Sequence, residues 1–292
     1  MRSEECGMRS EKMRNLEVKS GKFTGVKKRL LLLLYFIFPI SLLAPHSSLH
    51  TANAQTHLMG LGPSNLLDTY LSQETFRGTG FTYLNIREPQ IKEGKHWHNI
   101  IQHEIDLSKA NDRSHSISML EGDYDLYWGR YRRFTLLGNE STDLRLHLDA
   151  GGLVNANLGF IYAMLNTNNP AQMRLGINLM PSAIATFGFP LFRQRFSLRY
   201  EVEAQLLGLV FSPNYGQSYY EIFSRGNYDH NIVPTTTICA PNLRQMLTLE
   251  WQTGRKWNLR IGYLGNYQQA AVNNLKQHVY THRFVIGIAR SL

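Results

Sequence analysis

Two side-chain pairs in this sequence have types and spacing that could do chemistry. His147 and Asp149, in the stretch LRLHLDAG, lie two positions apart. On a β-strand they would share one face, where an aspartate can orient a histidine as a general base. Asp123 and Asp125, in GDYDLY, form a carboxylate pair of the kind that can activate water. A membrane-embedded hydrolase of lipid or peptide is therefore one candidate function, with His147 and Asp149 as its catalytic residues.

Other reactive groups lack the spacing that their chemistry needs. Beyond residue 54 no serine lies two positions from a histidine, which argues against a serine-histidine phospholipase. His96 and His98 share a strand face and could hold a metal with Glu104 or Asp106. The chain contains no CxxC, HExxH or GxGxxG motif, and isolated histidines are common in solvated loops. The sequence therefore predicts no metal site and no cofactor.

Alternation of apolar and polar residues is the dominant pattern along the chain. From Phe196 to Leu206 every even position is apolar and every odd position is polar or charged. A period of two puts these sets on opposite faces of a strand. The pattern recurs in segments of about ten residues, separated by turn sequences such as NTNNP, SPNYG and QTGRK. The sequence therefore predicts an all-β fold with long strands.

Residues 1–54 have the order of a secretory signal peptide. A basic segment ending in KKRL precedes the apolar block LLLLLYFIF, and the small residues ANA precede Gln55 as a cleavage site. The apolar block is shorter than the roughly twenty residues that a membrane-spanning helix needs. After cleavage we expect residues 55–75 to form an N-terminal periplasmic segment and residues 76–292 to form the β domain.

The charge and cysteine content of the cleaved chain exclude two further features. Residues 1–54 hold nine Lys or Arg and four Glu, so their removal lowers the formal net charge from +9 to +4. The remaining charges are spread without blocks, which argues against a nucleic-acid partner. Only Cys239 is left of the two cysteines, so no internal disulfide can form.

Two architectures share the alternating pattern. A soluble β-sandwich buries its apolar face, whereas a transmembrane barrel turns that face to lipid and lines its lumen with the polar one. The export signal, the long strands and the aromatic strand ends favour a single up-and-down antiparallel barrel in the outer membrane of a Gram-negative bacterium. We expect about 12 strands, with 10 as the next choice. The predicted aromatic girdles comprise Tyr83, Trp97, Trp128, Tyr131, Tyr200, Tyr220, Trp251, Trp257, Tyr263 and Tyr280.

Two stretches of the chain resemble a known family. NANLGFIYAMLNTNNPAQ (Asn155–Gln172) and FSPNYGQSYYEIFSRGN (Phe211–Asn227) are similar to an uncharacterised outer-membrane β-barrel family of Gram-negative bacteria, a domain of unknown function. The resemblance covers roughly Leu144–Leu292 and implies fold and location only, because the family has no assigned reaction or ligand. One departure is Leu292, which stands where such barrels usually end in an aromatic residue read by the insertion machinery.

The stretch SPNYG followed by QSYYEIF predicts a turn and then a strand. Its proline lacks an amide donor and its glycine readily adopts a positive φ, so the chain should reverse there. On the strand expected after the turn, Tyr220 would be an interfacial anchor. Tyr219 and Glu221 would point to the opposite face and fill the lumen near one rim, and the alternative is that they bind a ligand.

The polar strand faces would line the lumen and pair their charges there. The members of this predicted lumen cluster are Arg145, Arg199, Glu201, Glu203, Arg244, Glu250 and Arg260. We therefore expect a structural barrel or a narrow passive conduit rather than an enzyme, with an exported soluble β-sandwich that binds a ligand as a further alternative. Its expected partners are outer-membrane lipid and, through the C-terminal strand, the barrel insertion machinery, and we expect a monomer.

Overall fold

The computed structural model describes residues 53–89, 96–139, 143–164, 170–253 and 257–290. The predicted signal peptide lies outside these residues except for Asn53 and Ala54, which begin the first strand. The strands are β1 (Asn53–Asp68), β2 (Ser72–Pro89), β3 (Trp97–Asn111), β4 (Ser118–Asn139), β5 (Leu144–Ala163), β6 (Ala171–Leu191), β7 (Gln194–Ala204), β8 (Leu207–Phe211), β9 (Ile232–Thr236), β10 (Leu243–Gln252), β11 (Trp257–Val272) and β12 (Leu275–Arg290), and the helix is α1 (Tyr219–Phe223). Among the described residues, no helix has the length and apolar character to cross a membrane.

Ten of these strands close into a barrel. The antiparallel ladder runs from β1 through β7, continues with β10, β11 and β12, and β12 pairs back with β1. The two remaining strands extend the wall: β8 pairs with β6 just beyond the end of β7, and β9 pairs with β8. The predicted antiparallel barrel is confirmed, with twelve strands in the sheet and ten in the closed ring.

The two ends of the barrel differ in their connections. Asn53 and Arg290 lie at the end that we call the terminal end. The opposite end carries the long connection from β7 to β10, residues 205–242, which contains β8, α1 and β9. We call this the cap end, and we call residues 212–231 the cap.

Charged side chains lie inside the barrel together with buried apolar clusters, and large apolar side chains are exposed on its outer face. In β7, Arg199 and Glu201 are 6% and 0% exposed, while Leu198 and Tyr200 are 38% and 41% exposed. A soluble β-sandwich would bury its apolar side chains and expose its charged ones. The barrel does the opposite, so it has the surface of a protein that faces lipid. Because the ring of ten strands closes on itself, that ring presents no open edge that the bilayer could not solvate.

Aromatic residues mark the terminal end, with two exceptions to the prediction. Trp97 and Trp257 begin β3 and β11, and Trp251 lies near the end of β10; all three are exposed. The girdle prediction is wrong for Tyr131. This residue is 1% exposed, and its hydroxyl donates to Ser182 Oγ at 3.0 Å inside the barrel. A tyrosine three positions after the outward Trp128 must point inward in a strand. The second exception, Tyr220, lies on α1 and not on a strand.

The segment 55–75 belongs to the barrel wall and not to a periplasmic extension ahead of it. Gln55 pairs with Arg290 and Asp68 pairs with Gln277, so β1 runs along the whole of β12 and closes the ring. Sequence alternation does not show this strand because Gly60, Gly62 and Pro63 interrupt it. One of its two neighbours, β12, comes from the other end of the chain, and no local pattern reports it.

Close backbone approach at the seam between β1 and β12 requires a glycine. A Cβ atom on Gly287 would lie 1.8 Å from the carbonyl oxygen of His57. Gly287→Ala should therefore lower the free energy of unfolding by about 1–3 kcal/mol, the usual cost of overpacking. The temperature at which the heat-modifiable gel mobility changes measures this loss. Gly188→Ala is the matched control, since its nearest atoms lie 3.8 Å away and its mobility transition should stay in place. If both variants changed their gel mobility at the same temperature, the requirement for a glycine at this seam would be contradicted.

Candidate functional site in the barrel lumen

Arg244 of β10 crosses the lumen at its centre. The side chain is 1% exposed, and its Nε donates to Glu104 at 2.8 Å, Nη1 to Glu203 at 3.1 Å and Nη2 to Gln102 Oε1 at 2.9 Å. Its guanidinium also lies 4.7 Å from the ring centre of Tyr127. Because β10 and β3 are five positions apart in a ring of ten strands, the contact with Glu104 joins opposite walls.

Two further contacts join opposite walls at other levels. Arg199 of β7 donates to Glu88 of β2 at 2.7 Å, and Gln268 of β11 donates to Asp125 of β4 at 3.0 Å. Each pair of strands is again five positions apart. Polar atoms therefore meet at hydrogen-bond distance in the middle of the bore at three levels.

Arg283 of β12 fills the lumen near β2 and β3. It is 0% exposed, and it donates to both oxygens of Asp106, at 2.7 and 3.1 Å, and to Thr82 Oγ1 at 3.0 Å. Its Nη1 donates to the carbonyl oxygens of Gly62 and Pro63. The sequence prediction missed Arg283, although its position between the outward His282 and Phe284 would have identified it.

Asp123 and Asp125 lie in the lumen and not in a water-filled catalytic cleft. Arg174 Nη1 donates to Asp123 at 3.2 Å, and Asn157 donates to the same carboxylate at 2.6 Å. Asn155 donates to Asp125 at 2.7 Å. Both carboxylates are thus buried in the lumen and bound by amides, and Asp123 is also bound by a guanidinium.

The predicted pair of His147 and Asp149 is not assembled. Both oxygens of Asp149 accept hydrogen bonds from Arg133, at 2.7 and 2.6 Å, and Asp149 is 0% exposed. His147 Nδ1 lies 3.2 Å from Thr135 Oγ1 instead. The carboxylate that would orient the histidine is therefore occupied by an arginine.

The remaining predicted lumen residues divide between the interior and the rim. Arg199, Glu201, Glu203 and Arg244 form one connected network, in which Arg199 Nη2 donates to Glu201 at 3.2 Å. Glu250 and Arg260 form a separate, largely buried ion pair on neighbouring strands. Arg145 does not join them: its side chain is 64% exposed and lies 3.7 Å from Asp143 at the terminal end.

The cap contains a helix where the sequence predicts a strand. The Ser218 side chain accepts a hydrogen bond from the Glu221 backbone amide, and the Glu221 carboxylate accepts one from the Ser218 amide at 2.8 Å. This capping box has the pattern S-x-x-E, which the sequence SYYE contains. The strand prediction is wrong because it rests on the alternation of side-chain directions and does not use this pattern. The predicted turn does form, and Gly216 has a φ of +80° there.

Tyr219 and Glu221 use their polar atoms within the cap and its supports. The Tyr219 hydroxyl accepts from the Met173 amide at 2.8 Å and donates to Gln172 Oε1 at 2.9 Å, and burial raises the pKa of this hydroxyl. Hydrogen bonds from the amide and hydroxyl of Ser218 lower the pKa of the half-buried Glu221 carboxyl. The predicted ligand-binding role of these two residues remains a prediction.

The cap spans the mouth from one wall to the opposite one. On one side, the Tyr219 hydroxyl is hydrogen-bonded to β6. On the other side, Tyr70 lies in the turn between β1 and β2, and its hydroxyl donates to the Gln217 carbonyl at 3.0 Å. Asn273, in the turn between β11 and β12, donates to the carbonyls of Ser212 and His230. Between the cap end and the central arginine lies a cavity of about 50 Å³, lined by Arg174, Asn178 and Arg244 among others. It has room for one or two water molecules.

Comparison of the sequence with known families gives a match over most of the chain. Residues 29–292 match the family described as "Protein of unknown function (DUF3316)". The chain belongs to this family. No curated protein matches it. The family has no described activity that would assign a role to the lumen residues.

Several solved structures resemble the chain in fold. The transport unit of the autotransporter AIDA-I from Escherichia coli has a TM-score of 0.41 at 9% identity, with 86% of this chain and 94% of that one covered. The β domain of the Bordetella autotransporter BrkA has a TM-score of 0.39 at 11% identity, with 82% of this chain and 100% of that one covered. The outer-membrane protease OmpT from Escherichia coli has a TM-score of 0.40 at 8% identity, with 84% of this chain and 98% of that one covered. At these values, nothing about their activities transfers to this chain.

The protein is an outer-membrane β-barrel. Its closed sheet, apolar exterior and charged interior are the combination that a bilayer requires of a barrel.

Loss of the capping box should loosen the cap while the barrel stays folded. Ser218→Ala removes the side chain that bonds the Glu221 amide, and N-cap losses cost about 1 kcal/mol. Limited proteolysis of residues 212–231 in the folded barrel should become about fivefold faster. Ser224→Ala is the matched control, because only its backbone amide is used at the helix end.

The pH dependence of the same proteolysis follows from Glu221. Because its folded pKa is lowered, its stabilising effect is fully present above the ordinary glutamate value and is lost as pH falls below that value. Proteolysis should be constant from neutral pH to about pH 5 and accelerate below about pH 4. A Glu221→Gln variant that kept the acid-dependent acceleration would contradict this assignment.

Proposed function

We propose that the protein is a structural outer-membrane barrel whose lumen is blocked at two places, by the ion-paired side chains and by the cap. The contact between Arg244 and Glu104 carries the proposal, since it joins opposite walls at 2.8 Å with both side chains buried. An ion passing through would have to separate such pairs. Breaking a buried pair costs about 3–5 kcal/mol.

The orientation of the barrel is part of this proposal. In outer-membrane barrels the longer connections lie on the extracellular side and short turns face the periplasm. The connection 205–242 is the longest one between strands of the ring in the part of the chain that the structure describes. The cap would then close the barrel on the outside of the cell, and the terminal end would face the periplasm.

A narrow conduit is the second candidate, and the composition of the lumen favours one selectivity for it. Glu104, Glu201 and Glu203 all lie around Arg244, and Glu121 and Asp123 lie around Arg174. Carboxylates therefore outnumber guanidinium groups in these two clusters. A current through this barrel should be carried by cations.

Conductance in planar bilayers separates the two candidates. The unmodified barrel should be nearly silent, and Glu201→Gln with Glu203→Gln should open it or lower its thermal stability. The reason is that Arg199 and Arg244 lose charged partners inside a closed space. The control, Glu74→Gln, removes an exposed carboxylate that lies outside both the lumen cluster and the cap, and it should stay silent.

Two results would contradict the blocked barrel. A steady cation current through the unmodified protein, reduced in the Glu201 and Glu203 double variant, would establish the conduit instead. A soluble periplasmic product without heat-modifiable gel mobility would exclude a membrane barrel altogether.

A further inference from the structure

The outer face of the barrel carries charges of one sign. In the described strands the acidic residues point into the lumen, apart from the exposed Glu74 near the cap end. The outward positions of β5, β6, β7 and β10 hold no charged residue. The outward positions of β2, β3, β4 and β12 hold only cations, which are Arg77, Arg87, Lys109, Arg130, Arg132, Lys276 and Arg290. One side of the barrel is therefore basic on its outer surface.

Three of these arginines form a group at the terminal end of β2, β3 and β4. Arg130 pairs across the ladder with Asn99, and Arg132 pairs with Trp97. The guanidinium carbon of Arg130 lies 5.4 Å from the centre of the Trp97 ring. Arg87 belongs to β2, on the other side of β3. We call Arg87, Arg130 and Arg132 the arginine group.

The arginine group has no carboxylate partner among the described residues, whereas the lumen arginines do. Arg87 donates to the described residues only from Nε, to Asn85 Oδ1 at 3.2 Å, and Arg130 and Arg132 are exposed. A guanidinium is costly in the hydrocarbon of a bilayer and tolerated near its surfaces, so we expect these long side chains to reach the headgroup level. Trp97, which begins β3, has the position of an interfacial ring. The arginine group therefore lies where lipid phosphates lie.

We propose that the arginine group binds the phosphate of an anionic phospholipid in the leaflet at the terminal end. A guanidinium presents paired N–H donors that match two phosphate oxygens. Asn99 adds an exposed amide on the strand between Arg87 and Arg130. Ile101 and Trp128 follow toward the membrane centre on the same outer face, and the acyl chains can pack on them. An anionic lipid thus satisfies both the unpaired charges and the apolar wall beside them.

The choice of a phospholipid rests on the orientation proposed above, in which the terminal end faces the periplasm. Anionic lipids of the periplasmic leaflet are phospholipids, whereas the phosphates of lipid A belong to the outer leaflet. In the reverse orientation the arginine group would meet lipid A, and the cap would be protected from a protease added to intact cells. Lipid binding does not depend on a blocked lumen, so conductance and lipid preference test the two proposals separately.

The lipid preference of the refolded barrel tests the proposal. The barrel in a zwitterionic detergent is titrated with phosphatidylglycerol or phosphatidylcholine of the same acyl chains, and native mass spectrometry measures the bound fraction. Phosphatidylglycerol should bind at least tenfold more tightly. Arg87→Gln with Arg130→Gln should lower this ratio at least fivefold, because each basic group near anionic lipid adds roughly fivefold. The matched control, Arg145→Gln with Arg195→Gln, removes two exposed arginines of the same end that lie beside Asp143, and its ratio should stay within twofold.

A charge-conserving variant guards against a folding defect. Arg87→Lys with Arg130→Lys keeps both charges and should keep the lipid ratio within threefold, and heat-modifiable gel mobility confirms that each barrel is folded. The proposal is overturned if the unmodified barrel binds both lipids equally, or if the folded glutamine variant keeps its preference. It is also overturned if lipid A binds more tightly than phosphatidylglycerol. Displacement of the lipid by inorganic phosphate at constant ionic strength would assign the site to a soluble anion instead.

Discussion

A guanidinium group that leaves water must be surrounded by acceptors, and this requirement governs the interior of the barrel. Arg244 and Arg283 are both almost fully buried, and each finds its carboxylate on another strand. Removing either partner would leave an uncompensated charge in the buried interior. The lumen is therefore a fixed arrangement, in which strand order, register and side-chain identity must all agree.

Apolar layers support this polar interior. Leu58, Ile100, Ile184 and Met246 belong to one buried cluster, and they come from four different strands of the ring. A second cluster, which includes Phe76 and Met119, has Tyr70 of the cap-end turn packed against it. The cap closes over the second layer through the hydrogen bond from Tyr70 to Gln217.

Period-two alternation was enough to predict the fold and the inward direction of Arg199, Glu201, Glu203 and Arg244. It could not predict their partners, since Glu104 and Glu88 are brought opposite them only by closure of the ring. The same limit applies to β1, whose neighbour β12 lies at the far end of the chain. It applies again to His98, which the sequence grouped with His96, Glu104 and Asp106. In the structure His98 faces Glu88 and Asp149, while Glu104 and Asp106 are bound to Arg244 and Arg283.

The contacts between opposite walls also constrain how this family can evolve. Outer-membrane barrels have even strand numbers, so a change of size adds or removes a hairpin. An inserted hairpin would widen the ring and place β3 and β10 seven positions apart along one path and five along the other. Glu104 and Arg244 would then be separated by more than a hydrogen-bond distance, and so would Glu88 and Arg199. Descendants of this barrel with another strand number would need a new set of lumen charges at the same time.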